Sequence, residues 1–408
     1  MALLKRNIFS KNPEAPNSGE NYNNNESEDD SFSEDETPKS KEKNKRPKEN
    51  SFTQQKLRAF HPIITPKYII IIFFTLAVFL LGLGGGMIYA SYNVQDLIID
   101  YTKCNDTSIE YYSDVPLENV EYHFKSDATI SPKWKYALNS SESDPTEQGI
   151  CKLQFQIPND IGSPVFLFYQ IENFYANHRR YVKSYSEDQL NGKAASLSDI
   201  KDTVGQNCQP LSENEDGVRI YPCGLIANSL FNDTFSSLSA VNDTTEDYQM
   251  TNKGIAWSTN KNRMQKTKYS ASEVVPPPNW IKMFPDGYND DNMPDISTWS
   301  EFQNWMQTSA LPKFSKLALR NDNDVLKAGT YEVEVGLHWP VQEFNGKKSL
   351  YISTRSVIGG RNPFLGIIWV VAGGLCLIIS LVFVVFNLFA PRKVGDISKL
   401  SWNQNKSD

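Results

Sequence analysis

The residues whose chemistry is clearest in this sequence are the cysteines. Four lie in one long segment and a fifth lies in an apolar run further along: Cys104, Cys151, Cys208 and Cys223, then Cys376. In an oxidising compartment, four cysteines predict two disulfides, for which three pairings exist. We favour the sequential pairing, the first with the second and the third with the fourth, because it closes local loops. In the chain-entropy model these loops contribute about 4 and about 3 kcal/mol.

Metal binding and catalysis are the competing uses of such side chains, and the spacing supports neither. No Cys-x-x-Cys occurs, and the histidines of the segment are scattered: His123, His178 and His338. Four carboxylates could suggest calcium, but their spacing misses the EF-hand loop, so we interpret them as turn acids: Asp286, Asp290, Asp291 and Asp295. Nucleophile-elbow, zincin and phosphate-loop motifs are absent from the sequence. We expect a non-catalytic chain with no metal and no cofactor.

Glycosylation is the modification that the sequence predicts. The Asn-x-Ser/Thr pattern occurs four times in the cysteine-bearing segment, at Asn105, Asn139, Asn232 and Asn242. It also occurs near the two ends of the chain, at Asn25 and Asn405, where the topology below predicts that the asparagines stay unmodified.

Two apolar runs without a charged residue or histidine bracket this segment. They span residues 68–92 and 364–390, and each exceeds the roughly 20 residues that cross a bilayer core as a helix. The first run follows a long polar leader and is too long for the apolar part of a signal peptide. Both runs are therefore predicted to be transmembrane helices.

The distribution of cations predicts the orientation. Lysines and arginines cluster before the first run, from Lys39 to Lys67, and Arg392, Lys393 and Lys399 follow the second. By the positive-inside rule both tails, 1–67 and 391–408, are cytosolic, and residues 93–363 are lumenal or extracellular. Arg361 lies on the opposite side from these clusters.

The net charge of −7 does not suggest nucleic-acid binding.

The first tail is rich in Asn, Ser, Glu and Lys and is predicted to be disordered. Its acidic block, residues 26–36, carries Ser27, Ser31 and Ser33, each with an acidic residue three positions on. We interpret the block as a solvated tail, and a phosphorylatable regulatory segment is the alternative.

The segment between the helices is predicted to be a mainly antiparallel β domain with short helical insertions. Strand patterns occupy residues 163–171, 330–339 and 348–357. A turn signal at Phe344-Asn-Gly predicts that the last two strands pair as a hairpin. The best helical candidates are residues 173–184 and 298–306.

Small residues four apart mark one face of each membrane helix, and such faces allow close helix packing. In the first helix they are Gly82, Gly86 and Ala90, and in the second they are Ala372, Cys376 and Ser380. Two interpretations, which do not exclude one another, are that the two helices pack on each other and that these faces meet the helices of a partner. Intramembrane ionisable groups, which mark transport paths, are absent from both runs.

Several longer motifs carry a family resemblance. The run from Asn173, Asn-Phe-Tyr-Ala-Asn-His-Arg-Arg-Tyr-Val, resembles a signature of the ligand-effect modulator (cell-division-control-fifty) family, in which Gln is usual where this chain has Ala176. Further matches follow in family order: residues 221–235, 254–257, 276–280, 304–314 and 358–366. The likeness is strongest to the fungal branch, although Gln307 stands where the family has Arg. The resemblance also supports the sequential disulfide pairing.

Members of that family are non-catalytic β-subunits of phospholipid flippases, the type IV P-type ATPases. The resemblance implies a heterodimer in which the ATPase α-subunit moves phospholipid from the exoplasmic to the cytosolic leaflet. This chain would support the folding, export from the endoplasmic reticulum and activity of that α-subunit, at Golgi, endosomal or plasma membranes. Membrane phospholipids are the other expected partner. Residues expected to contact the partner subunit are His178, Arg179, Arg180, Gly82, Gly86, Arg361 and Asn362. For the two adjacent arginines, we slightly favour pairing with core or surface carboxylates inside the domain over contact with the partner or a lipid headgroup.

Two other classes of function remain open on the sequence. A stand-alone surface adhesion or receptor glycoprotein would share the topology, disulfides and glycans. A lumenal hydrolase would need an acid and a base clustered in a cleft.

Overall fold

The computed structural model describes residues 50–52, 55–57, 65–139, 144, 148–201, 205–242, 246–391 and 397. The serines of the acidic block, most of the basic residues of the two tails and most of the predicted cytosolic tails lie outside the described residues. The chain divides into two compact units, 1–63 and 64–408. In the first unit the described residues include a turn in which Lys56 N donates to Ser51 O at 2.8 Å. Everything below concerns the second unit.

Two long helices begin and end this unit. Helix α1 spans Pro66–Tyr92 and helix α8 spans Phe364–Phe389, so they have 27 and 26 residues. Proline in the first turn of α1 supplies a preset backbone angle and sacrifices no intrahelical hydrogen bond. Both helices are long and apolar enough to cross a membrane.

The described residues between these helices, 93–363, form the sheet domain. Its strands are β1 Asp96–Asp100, β2 Ser113–Asp114, β3 Val120–His123, β4 Lys133–Leu138, β5 Gly149–Ile157, β6 Val165–Glu172, β7 Arg219–Ile220, β8 Thr234–Phe235, β9 Ser239–Ala240, β10 Val274–Val275, β11 Phe314–Asn321, β12 Gly329–Gly336 and β13 Lys347–Ser353. Its short helices are α2 Arg179–Val182, α3 Glu187–Leu190, α4 Leu197–Lys201, α5 Leu225–Asn228, α6 Ser258–Arg263 and α7 Ser300–Trp305.

Two antiparallel sheets contain most of these strands. The five-stranded sheet has the order β11-β6-β13-β1-β3, and the six-stranded sheet has the order β2-β4-β5-β12-β8, with β9 also paired to β12. Strands β7 and β10 form a separate parallel pair. Alternate residues of β5 and β12 are buried, as expected for strands with one face on a core. The predicted fold class, two membrane helices flanking an antiparallel β domain with two disulfides, is confirmed.

Among the described residues, the larger of two buried hydrophobic clusters contains residues of both sheets. Inward residues of both sheets belong to one buried cluster, including Ile99, Leu167 and Ile352 from the five-stranded sheet and Phe155 and Val333 from the six-stranded sheet. Stacked aromatic rings extend this core: Tyr169 and Phe231 lie 4.0 Å apart between ring centroids. Aromatic pairs of this kind add about 0.5–1.5 kcal/mol each beyond the area that they bury.

The predicted hairpin between the last two strands is wrong. Strand β12 pairs with β5 on one side and with β8 and β9 on the other, whereas β13 pairs with β6 and β1. Both edges of each strand are therefore occupied by other partners. The turn itself exists, since Asn345 is left-handed with φ 51°. It lies in a connection that buries Trp339 and Val341 and crosses from one sheet to the other.

The predicted helices are present in shortened form. In the first candidate, 173–184, only α2 is an α-helix, and in the second, 298–306, α7 occupies the middle. Asn173 has φ 62°, a left-handed conformation that ends β6 and turns the chain before α2. The family-signature segment is therefore mostly an ordered loop.

Helices α1 and α8 pack on each other through small residues spaced by seven. Buried residues at this spacing include Ala77, Gly84 and Ser91 in α1, and Gly366, Gly373 and Ser380 in α8. Ser380 Oγ donates to Ile70 O at 3.2 Å. A repeat of seven keeps one seam facing the neighbouring helix, as in left-handed helix pairs.

Candidate partner interface

Both predicted disulfides are present with the sequential pairing. Cys104 joins Cys151 and Cys208 joins Cys223, with Cα–Cα distances of 5.9 and 5.6 Å. The first bond links the segment after β1 to β5 and so ties the two sheets together. The second bond lies in a smaller buried cluster with Ala195, Ile200 and Ile220. The fifth cysteine, Cys376, is free and half-buried in α8.

The four predicted glycosylation sites lie in the sheet domain and differ in exposure. Asn105 and Asn242 are exposed, whereas Asn139 and Asn232 are half-buried. Occupancy of the sites stays a prediction.

Asp286, Asp290, Asp291 and Asp295, the acidic residues whose sequence could suggest calcium, do not form a metal site. Among the described residues, no group of three or more His, Cys, Asp or Glu side chains is placed to hold a metal ion. Asp295 instead accepts hydrogen bonds from Ser297 N at 3.0 Å and Ser297 Oγ at 2.6 Å, as in an Asx-turn.

Four basic residues of the family-signature segment lie side by side, and we call them the basic surface: His178, Arg179, Arg180 and Lys183. All four residues are exposed. Neither arginine side chain forms a hydrogen bond or ion pair with any described residue. The intramolecular pairing that the sequence slightly favoured for these arginines is therefore wrong within the described chain. Tyr175, which precedes these residues in the chain, is 59% exposed and adds a large aromatic group to this surface.

Neighbouring polar residues hold the basic surface in place. Asn173 Nδ2 donates to Phe344 O, and Asn177 Nδ2 donates to Ala310 O, both at 2.8 Å. Ala176, which replaces the usual Gln of the family, is 3% exposed and packs inward. These anchors make the arginines part of a fixed surface, so their lack of partners is not the result of a loose segment.

The basic surface lies at the end of the sheet domain far from the membrane helices. Strand β13 leads from Lys347 to Ser353 and then toward α8, and its partner β6 ends with Glu172 opposite Lys347. The basic surface follows Glu172 in the chain. Six steps along a strand separate the two ends by about 20 Å. A protein partner therefore suits these arginines better than the headgroups of the membrane that α1 and α8 cross.

Arg361 has a structural partner next to the membrane helices. Its Nε donates to Asp96 Oδ2 at 2.9 Å, and Asp96 is 5% exposed. Burial raises the pKa of the Asp96 carboxyl, which the hydrogen bond from Arg361 partly offsets. Asn362 Oδ1 accepts from Phe364 N at 3.1 Å at the start of α8. Arg361 thus ties the segment before α8 to the strand that follows α1, whereas the hydrogen bond of Asn362 stays within the start of α8.

Gly82 and Gly86 lie on an open face of α1. A Cβ atom built on either glycine would have no neighbour within 4 Å, whereas one on Gly84 would lie 2.8 Å from Gly366 O. The sequence pattern with spacing four therefore identified the face that α8 does not cover. The face that α8 covers has spacing seven, which the sequence interpretation missed.

A buried ionic network at Asp233 was also missed. Lys348 Nζ lies 2.7 Å from Asp233 Oδ2, with the two side chains 6% and 0% exposed. Tyr101 Oη donates to Oδ2 at 3.0 Å, and the backbone N–H groups of His338 and Trp339 donate to Oδ1 at 2.8 and 2.7 Å. Asp233 occupies the middle of the Asn232-Asp-Thr glycosylation pattern, which concealed its structural role.

Lys316 is a second buried cation, and its ammonium is bonded to backbone carbonyls. Burial lowers the pKa of its ammonium to about 8. Its Nζ donates to Asn304 O at 2.6 Å and also to Gln307 O. Lys316 thus anchors the end of α7 to β11, and no described carboxylate is bonded to it.

Comparison with known proteins agrees with this architecture. The sequence pattern of the LEM3 (ligand-effect modulator 3)/CDC50 family matches residues 87–393. The chain is 46% identical over 364 residues to the phospholipid-transporting ATPase accessory subunit LEM3 of Saccharomyces cerevisiae, covering 88% of each chain. It is 40% identical to the phospholipid-transporting ATPase accessory subunit CDC50 of Chaetomium thermophilum, covering 88% of this chain and 91% of that protein. It is 32% identical to cell cycle control protein 50A of Bos taurus, covering 85% and 90%. The chain belongs to the LEM3/CDC50 family.

Proposed function

We propose that this chain is the accessory β-subunit of a phospholipid-transporting P-type ATPase. The observation that carries the proposal is its similarity, over 88% of its length, to proteins named as accessory subunits of such ATPases. The chain binds the ATPase α-subunit as a heterodimer, and the α-subunit hydrolyses ATP and moves phospholipid from the exoplasmic to the cytosolic leaflet. The chain itself contributes folding, export and stability of the complex.

Three surfaces suit the chain to this role. The open face of α1 at Gly82 and Gly86 lets a helix of the α-subunit approach closely. The exposed arginines of the basic surface offer planar donors for carboxylates of the α-subunit. For the third, we propose that the cytosolic flanks of α1 and α8 contact soluble domains of the α-subunit; most residues of these flanks lie outside the described ones.

The proposed topology places the sheet domain in the lumen or outside the cell. The cation clusters before α1 and after α8 support cytosolic tails. Two disulfides and four glycosylation patterns in the sheet domain support the opposite side for that domain. We place the complex along the route from the endoplasmic reticulum to Golgi, endosomal and plasma membranes.

Neutralising the basic surface should weaken the complex. In the double variant Arg179→Gln/Arg180→Gln, we expect recovery of the ATPase with the purified chain to fall about tenfold, because bonds between charged groups contribute about 1.5–3 kcal/mol. The measurement is the ratio of ATPase to β-subunit after purification in mild detergent. The matched control is Lys266→Gln/Lys268→Gln, which removes two charges from exposed positions elsewhere. Unchanged recovery with the arginine variant would remove the basic surface from the interface.

A further inference from the structure

A cavity of about 370 Å³ lies where the two membrane helices meet the sheet domain. It is bounded by the last turns of α1, the first turn of α8, strand β13 and the loop between β13 and α8. The lining residues on which the argument depends are Met87, Ser91, Tyr351, Ile358, Arg361 and Leu365. The cavity is distinct from the basic surface, which lies at the far end of the sheet domain.

The position of the cavity corresponds to the headgroup region of a bilayer. Helix α1 is 27 residues long, or about 40 Å. The hydrocarbon core is about 30 Å thick, so the ends of the helix extend into the interfacial region. Met87, Ser91 and Leu365 all lie within about two turns of the helix ends that adjoin the sheet domain.

The lining contains both apolar and polar side chains. Met87, Ile358 and Leu365 supply apolar contacts, whereas Ser91, Tyr351 and Arg361 supply hydrogen-bond donors. Among the described lining residues there is one cation and no carboxylate. This combination of one cation, polar donors and apolar side chains suits a phospholipid, which joins a phosphate diester to apolar chains.

Ser91 gives independent evidence that a polar ligand belongs here. It is 4% exposed and its Oγ has no hydrogen-bond partner among the described residues. A buried hydroxyl without a partner costs about 1–3 kcal/mol. A ligand oxygen in the cavity would satisfy this hydroxyl.

Arg361 is oriented to serve the same ligand. Its Nε is held by both carboxylate oxygens of Asp96, at 3.2 and 2.9 Å. Its two terminal amino groups form no hydrogen bond with a described residue. A guanidinium fixed on one edge presents its remaining N–H groups as a fork, the geometry that suits a phosphate.

We propose that this cavity binds the phosphate-bearing headgroup of a phospholipid from the leaflet that adjoins the sheet domain. The phosphate accepts hydrogen bonds from Arg361 and Ser91, and the acyl chains lie along Met87, Ile358 and Leu365. The proposal depends on the membrane position of α1 and α8 and not on the identity of a partner ATPase, so either can fail without the other.

The test uses the full-length chain, in the assembly in which it is purified, reconstituted in phosphatidylcholine vesicles. The probe is a phosphatidylcholine with a photoactivatable group close to the glycerol, and labelled peptides are identified by mass spectrometry. We expect labelling concentrated at Met87, Ile358 and Leu365, in excess of the labelling on outward residues at the same ends of the helices, such as Tyr89 and Phe364.

Two variants separate binding from folding. Gly360→Leu fills the cavity, since the only neighbour of an added Cβ is Tyr351 Oη at 3.5 Å, and we expect labelling to fall about tenfold. Ser91→Ala removes a hydroxyl that has no partner in the structure, and we expect a decrease of about fivefold for one lost hydrogen bond. The control is Gly162→Leu, where an added Cβ has nothing within 4 Å and labelling should stay unchanged.

Four results would overturn the proposal. Labelling without excess at the cavity would show that no headgroup is bound. The same would follow if both variants were labelled as strongly as the unaltered chain. Suppression of labelling by inorganic phosphate alone would identify a site for a free anion. Cross-linking of Ile358 to a second protein in place of lipid would show that the cavity is a protein contact.

Discussion

Replacing Lys348 by methionine should destabilise the sheet domain by about 3–5 kcal/mol, because the change leaves the carboxylate of Asp233 buried without its cation. The same change also removes the hydrogen bond from Lys348 Nζ to Trp339 O at 2.8 Å. Domains of this kind have total stabilities of about 5–15 kcal/mol. We therefore expect most of the variant to be retained in the endoplasmic reticulum, and its urea midpoint in detergent, followed by tryptophan fluorescence, to fall.

The neighbouring lysine provides a matched control. Lys347 is 57% exposed and its Nζ lies 3.8 Å from Asp100 Oδ2. Because exposed pairs contribute about 0–1 kcal/mol, Lys347→Met should leave the midpoint almost unchanged. Asn232→Gln removes the adjacent glycosylation pattern and keeps Asp233, which separates loss of a glycan from loss of the ion pair. Equal midpoints for the two lysine variants would contradict a structural role for the network.

Replacing Gly84 by leucine should force α1 and α8 apart. An added Cβ would lie 2.8 Å from Gly366 O and from Val370 N, and backbone atoms cannot move aside as a flexible side chain can. Overpacking of this kind costs about 1–3 kcal/mol and sometimes more. The thermal unfolding temperature of the full-length protein in detergent should decrease, and so should the recovery of the ATPase.

Two other glycines in α1 separate helix pairing from partner binding. Gly85→Leu is the control for the unfolding temperature alone, since an added Cβ there has no neighbour within 4 Å. Gly82→Leu should keep the unfolding temperature and lower only the recovery of the ATPase, because it obstructs the open face of α1. A Gly84→Leu variant with a normal unfolding temperature would be inconsistent with the close packing described here.

The sequence predicted the elements whose causes are local. Uncharged apolar runs sufficed for α1 and α8 because each hydrocarbon-spanning helix satisfies its own backbone. Alternating residues sufficed for β12 and a turn signal for Asn345. Local loop closure favoured the disulfide pairing that the structure has.

Features that depend on distant neighbours could not be predicted. Strands β12 and β13 were assigned to each other because they are adjacent in sequence, but each has its edges occupied by strands from far along the chain. Lys348 and Asp233 are more than one hundred residues apart, so no spacing links them. Whether Arg179 and Arg180 are exposed, and whether a carboxylate lies close enough to pair with them, depends on the tertiary fold and not on the local sequence.

The central claim is that this chain functions as the subunit of a phospholipid-transporting ATPase. The most direct test is affinity purification of the chain from its native membrane in mild detergent, with mass spectrometry of the proteins that accompany it. We predict a type IV P-type ATPase in near-equal amount, which would also identify the pump. Recovery of the chain alone, already carrying mature glycans, would show export without a partner and would contradict the claim.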